Sequence, residues 1–178
     1  MKIRHFDWII PDFRYNKPFY PPQTAMSSAA YNTQLNAKIQ RLHALLAPFG
    51  APEIEVFTSA EQGYRMRAEF RIWHEGDAMS YAMFEPGSKA SSASLIKQSP
   101  PAHERINALM PRLLDALSQQ DVLRHRLYQC EFLCTLSGEM LVTLIYHKRL
   151  DDEWQKAACT LQDALGIGII GRSRGQKI

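Results

Sequence analysis

The stretch that most limits what this chain can fold into is Tyr64–His74, where the apolar period is two. Met66, Ala68, Phe70 and Ile72 fall on one face, and Arg65, Arg67, Glu69, Arg71 and Trp73 on the other. Successive strand side chains point to opposite faces, so this pattern predicts a half-buried strand with a cationic outer face. Glu75-Gly76-Asp77 reads as a turn and Ala78–Pro86 as the returning strand.

Other segments add helices. Leu35, Ile39, Leu42, Leu46 and Phe49 recur at three- and four-residue steps, a helical stripe that Gly50 and Pro52 end. Ile106, Leu109, Leu113 and Leu117 form a second stripe with Pro111 inside it, either a kink or the first turn of a shorter helix. Residues 87–98 are rich in Ser and Ala and are expected to contain a loop. Tyr128, Cys130, Phe132, Cys134 and Leu136 then alternate with Gln129, Glu131, Leu133 and Thr135. Ser137-Gly138 turns the chain and Met140–Tyr146 returns. Asp151–Leu165 predicts a third helix with Asp151 or Asp152 as its N-cap, and Ile167–Ile170 a last short strand.

The predicted order is α-β-β-α-β-β-α-β: an α+β fold, with an antiparallel or mixed sheet and helices packed on one side. Its 178 residues suit one domain of residues 31–178 behind an arm. Pro11, Pro18, Pro21 and Pro22 punctuate residues 1–30, which predicts an irregular N-terminal arm; Met26 is a possible alternative start.

Two apparent chemical motifs fail on context. Gly166-Ile167-Gly168-Ile169-Ile170-Gly171 matches G-x-G-x-x-G, but that fingerprint needs a strand before it and a helix after it. Here a helix precedes, so the expected reading is a tight turn into a strand and no cofactor site in this chain. Cys130 and Cys134 lie four residues apart on one strand, about 13 Å at Cα, too far for a disulfide. With Phe132 between them they read as core thiols. No Cys or His spacing suits a metal, and His74, His103, His125 and His147 are scattered. The three cysteines, without an apolar leader in the first ten residues, predict a cytoplasmic protein. No apolar run is long enough for a membrane span.

Three basic-aromatic clusters remain. Net charge is only +3, so a nucleic-acid partner requires that positive charge be gathered in one place. In Tyr64–His74, alternation puts Arg67, Arg71 and Trp73 together, where guanidinium groups can fork onto phosphates and Trp can stack on a base. A solvated strand with Glu69 paired to its Arg neighbours explains the pattern equally well. In Leu123–Gln129, Arg124 and Arg126 precede Tyr128, which alternation assigns to the core face of Cys130 and Phe132. In Tyr146–Trp154, His147 and Lys148 sit where a hairpin end leading into a capped helix is the plainer reading. Arg172, Arg174 and Lys177 add charge at a terminus expected to be flexible.

In this order the clusters resemble the N-terminal region of bacterial tRNA (uracil-5-)-methyltransferases. The resemblance runs over residues 31–178, through Tyr31–Pro48, Tyr64–His74, Val122–Gln129, Thr135-Leu136-Ser137, Tyr146–Trp154 and the run to Lys177-Ile178. It implies an RNA-recognition domain preceding a domain that binds S-adenosylmethionine. It implies a family chemistry in which a Cys thiolate adds to C6 of a T-loop uridine before C5 is methylated. None of Cys130, Cys134 or Cys159 matches that nucleophile, and the methyl-donor domain is expected beyond Ile178. The resemblance also implies that Arg71 and Tyr128 lie on the RNA side, with His147 and Lys148 as further contacts, Tyr128 standing where the family can carry Phe. The expectation is a T-arm-binding module that does not methylate RNA alone. The alternative is a protein-interaction or regulatory domain left after loss of the catalytic half.

Overall fold

The computed structural model describes residues 28–84 and 94–178. The irregular arm predicted for residues 1–30 therefore lies, up to residue 27, outside the described residues. The chain divides into two units, Met1–Val56 and Phe57–Ile178.

In the first unit, helix α1 spans Ala29–Leu46. The Ser28 hydroxyl accepts the Tyr31 N–H at 3.2 Å, an N-cap that satisfies one of the otherwise orphaned first-turn donors. A 3-10 turn, Ala47–Phe49, follows and Gly50 closes it at φ +60°. The predicted stripe is present, but no α1 residue is buried.

The second unit holds a seven-stranded sheet. The strands are β1 (Arg67–Glu75), β2 (Ala78–Met83), β3 (Ser94–Ile96), β4 (Leu127–Cys134), β5 (Met140–Tyr146), β6 (Gly168–Ser173) and β7 (Gln176–Lys177), and the spatial order is β3-β2-β1-β4-β5-β6-β7. Every pairing is antiparallel except β5 with β6. That parallel pair needs a crossover, which helix α4 (Asp152–Leu165) supplies. Helices α2 (Glu104–Ser118) and α3 (Asp121–Arg124) join it on the same side of the sheet.

The predicted architecture and order hold, with β3, α3 and β7 as added short elements. Of residues 87–98, expected to contain a loop, 87–93 lie outside the described residues, and Ser94–Ile96 form β3, held only as an edge strand on β2. The terminus expected to be flexible folds back as the β6–β7 hairpin. Helix α2 runs through Pro111 and buries Ile106, Leu109, Met110, Leu113 and Leu117. Its Met110 carbonyl accepts the Tyr81 hydroxyl at 2.8 Å, so a buried phenol is satisfied.

Inside, the alternation of β1 is realised as written. Phe70 and Ile72 join Tyr81, Phe132, Val142, Leu144 and Tyr146 under the helices. Phe70, Tyr81 and Phe132 form an aromatic triangle with centroids 5.7–6.0 Å apart. Cys130 and Cys134 belong to the same core. Helix α4 begins as predicted: the Asp151 carboxylate accepts the Trp154 N–H at 2.9 Å. It ends at Gly166, which takes φ +66° and donates to the Gln162 carbonyl.

The three glycines of the literal G-x-G-x-x-G match now have structural reasons. Gly166 is the left-handed cap. A Cβ on Gly168 would lie 2.8 Å from Leu141 Cδ1. One on Gly171 would lie 2.3 Å from the Trp154 ring and 2.7 Å from Leu150 Cδ1. Gly168 and Gly171 are thus positions where a neighbouring side chain packs against the backbone.

Candidate nucleic-acid interface

The sheet face opposite the helices carries Arg67, Glu69, Arg71 and Trp73 from β1 and Gln129, Glu131 and Leu133 from β4. Thr143, Ile145 and Arg172 continue it on β5 and β6. Its charges are unevenly spent. Arg67 reaches Glu131 at 3.4 Å and Glu69 at 3.6 Å, bridging two carboxylates that face each other across the β1–β4 ladder. Such exposed pairs contribute about 0–1 kcal/mol, but they neutralise this end of the face. Arg71, one row further, has no carboxylate within ion-pair distance among the described residues.

Arg71 instead lies over Tyr128, its guanidinium carbon 4.0 Å from the ring centroid. The His147 ring stacks on the same phenol at 4.0 Å and 27°. Two groups over one ring at that distance must occupy opposite faces, so β1 and the end of β5 close on an aromatic from β4. A cation–π contact of this kind stabilises by about 0.5–1 kcal/mol when exposed. The stack is accessible: Arg71 and His147 are exposed and Tyr128 is half-buried.

Strict alternation would have put Tyr128 in the core. The register instead shifts between Leu127 and Gln129, a β-bulge. Leu127 and Cys130 both stay buried, three residues apart, and the two residues between them turn to the open face. The approach to the bulge is equally irregular. Arg126 is the one non-glycine residue with positive φ among the described residues, at 57°, and its carbonyl accepts the His147 N–H at 3.1 Å. A left-handed Arg costs roughly 1 kcal/mol, and such strain collects where a side chain must be aimed. No sequence signal marks it, since Gly or Asn is the usual occupant.

The other sequence-predicted site residues divide. Arg126 joins His74, Tyr128 and His147 around a cleft of about 420 Å³ at the end of the sheet. His74 had no assigned role in the sequence; it bonds the Leu127 carbonyl at 2.8 Å and so braces the bulge. Trp73 shares the open face and is 39% exposed. Arg124 is engaged within the protein, with Asp77 at 3.3 Å, Asp121 at 3.9 Å and the Gly76 carbonyl at 3.2 Å. Lys148 donates to the Val122 carbonyl at 2.7 Å. Its burial pulls the ammonium below the usual lysine range, against the opposing pull of Asp151 and Glu153. The structure thus gathers Arg71, Tyr128, His147 and Arg126, places Trp73 nearby, and gives Arg67, Arg124 and Lys148 partners of their own.

The two core cysteines, Cys130 and Cys134, are not activated thiolates. Burial pushes the Cys130 thiol far up, and raises Cys134 despite the nearby Arg105 guanidinium. His103 Nδ1, 3.9 Å from Cys134 Sγ, already accepts the Arg105 N–H as the N-cap of α2. A nucleophilic thiol needs the opposite environment. In the native chain a thiol reagent is expected to modify only exposed Cys159 rapidly, and all three thiols after denaturation. Native modification of Cys130 or Cys134 at the rate of Cys159 would contradict the packing. Among the described residues no group of three His, Cys, Asp or Glu could hold a metal, and no helix is long and apolar enough to cross a membrane.

An open sheet face with an uncommitted guanidinium and an exposed aromatic stack suits a ligand that is both anionic and planar, as nucleic acid is. Comparison with known proteins gives the family. Residues 30–178 match the family model described as tRNA (Uracil-5-)-methyltransferase, and the chain belongs to that family. It is 59% identical over 150 residues to the tRNA/tmRNA (uracil-C(5))-methyltransferase of Neisseria gonorrhoeae (strain NCCP11945), covering 83% of this chain and 41% of that protein. It is 53% identical to the enzyme of that name from Pseudomonas putida (strain W619) over 86% of this chain and 42% of the relative. The Dechloromonas aromatica (strain RCB) enzyme is also 53% identical, over 88% and 43%. The chain spans about two fifths of the length of these curated relatives and corresponds to an N-terminal portion of the family.

Proposed function

We propose that residues 31–178 form the RNA-gripping part of a tRNA uracil-5 methyltransferase, and that their target is the T arm. The observation that carries this reading is the Arg71–Tyr128–His147 stack on the open sheet face. Arg71 supplies a charge for a phosphate, and the aromatic pair supplies a platform for an unstacked base. Since both faces of Tyr128 are occupied, a base must displace Arg71 or His147 or extend the stack beyond His147. Trp73 and Arg126 flank this site. Arg67, Arg124 and Lys148 would contribute only by giving up their present partners.

S-adenosylmethionine belongs to the family's chemistry rather than to this stretch. Within the glycine run, Gly168 packs against Leu141, and Gly171 against Trp154 and Leu150.

The test is binding of a T-arm RNA hairpin by the wild-type chain and Arg71→Ala at two salt concentrations. The variant is expected to bind more weakly, with its salt slope reduced by roughly 0.7–0.9 for one lost phosphate contact. Equal affinities would remove Arg71 from the interface. Methyl transfer from S-adenosylmethionine by the isolated chain would overturn the division of labour.

A further inference from the structure

A second, basic cleft lies beside the aromatic stack. It holds about 940 Å³ and lies where the end of β5 meets the β6–β7 hairpin, with Arg149, Arg172 and Arg174 among its walls. All three are exposed, and none has a carboxylate within ion-pair distance among the described residues. They differ in this from Arg67 and Arg124, whose charges are already met. His147 lines this cleft and also the smaller one beside Tyr128, so the two are adjacent.

The cations stand on a braced support. The Gln176 side chain makes two bonds to Leu150, accepting its N–H at 3.0 Å and donating to its carbonyl at 3.1 Å. The Ser173 hydroxyl donates to the Lys148 carbonyl. Gly171 and Ile178 exchange two backbone bonds at 2.7 and 2.9 Å. The hairpin tip, Arg174-Gly175, therefore projects from a clamped pair of strands, and less side-chain and backbone entropy is lost when it binds.

Register supplies the link to the first site. Arg71 pairs with Gln129, Gln129 with Ile145, and Ile145 with Arg172. These four residues form one row across the open face. Three inter-strand spacings place Arg71 and Arg172 about 14 Å apart at Cα. The row has an uncommitted guanidinium at each end and no carboxylate within it.

We propose that Arg149, Arg172 and Arg174 form a phosphate-backbone clamp, which holds the ribose-phosphate strand continuing from the base held at the Tyr128 stack. This inference rests on the RNA-binding reading above. Its contacts are to charge and not to base edges, so they add affinity without sequence preference.

The test uses the whole chain, Arg172→Gln/Arg174→Gln, and Arg172→Lys/Arg174→Lys as the charge-keeping control. Binding is measured between 50 and 200 mM salt to a T-arm hairpin and to a loop-less duplex of the same stem. Loss of two phosphate contacts lowers the salt slope by roughly 1.4–1.8, so the wild type's affinity should fall about tenfold more than the Gln variant's over that range. The Lys variant should keep the wild-type slope, and all three should keep their preference for the hairpin over the duplex. A wild type with no hairpin preference, but a slope still lost in the Gln variant, would sink the base-stacking reading and leave the clamp. Unchanged slopes in the Gln variant would overturn the clamp and leave the stack. Unchanged slopes with loss of poly-glutamate binding would assign the cleft to an acidic polypeptide. Failure of the wild type to bind either RNA would overturn both.

Discussion

Tyr128→Ala is expected to weaken T-arm RNA binding by roughly 5- to 140-fold, while Tyr128→Phe stays near the wild-type affinity. Base–aromatic stacking is worth about 1–3 kcal/mol per base by alanine substitution, and each 1.4 kcal/mol is tenfold. The Ala variant also releases Arg71 and His147 from the ring that both now cover at 4.0 Å. The pre-formed platform is then lost with the ring. Phe keeps the π surface and gives up only a hydroxyl on the open face. The core is not at stake, because Leu127 and Cys130 on either side of the bulge carry the packing. Equal affinity of wild type and Ala variant, by fluorescence anisotropy of a labelled hairpin, would place the RNA elsewhere.

Trp154→Ala is expected to destabilise the 57–178 unit by about 3–5 kcal/mol, as for large aromatic truncations in a packed core. Trp154 is 2% exposed and stands edge-on to Tyr146, with centroids 5.6 Å apart at 81°. Tyr146 in turn donates its hydroxyl to the Leu123 carbonyl at 2.7 Å, tying β5 to α3. Across from Trp154 lies Gly171, with no room for even a methyl group. The indole is thus the piece that joins the crossover helix to β6, and its loss leaves a cavity bounded by backbone that cannot easily collapse. Urea unfolding reads the effect directly, and a loss below about 1 kcal/mol would mean that the α4–β6 contact is not tightly packed.

Both outcomes depend on features with unequal visibility in the sequence. The period-two pattern of β1 determined its buried face, because strand geometry leaves no other way to sort Phe70 and Ile72 from Arg71 and Trp73. Asp151 and Gly166 bounded α4 for reasons equally local, a side-chain acceptor at one end and a left-handed backbone at the other. The long run Tyr64–His74 identified the family, which the match over residues 30–178 bears out.

What the sequence could not reach depends on partners far away along the chain. Tyr128 leaves the core because β4 slips register against β5 at Leu127 and Gln129, a matter of pairing with residues near 145. Whether an arginine is free is likewise decided across the sheet: Arg67 meets Glu131, while Arg71 in the next row meets a phenol. Arg172 enters the same row as Arg71 only through the pairings of four strands. By itself, then, the sequence determined the main helices and strands, the buried face of β1 and the family. Only the tertiary structure decided which cations remain uncommitted and which aromatic turns outward, because register, unlike period, is a property of strands in contact.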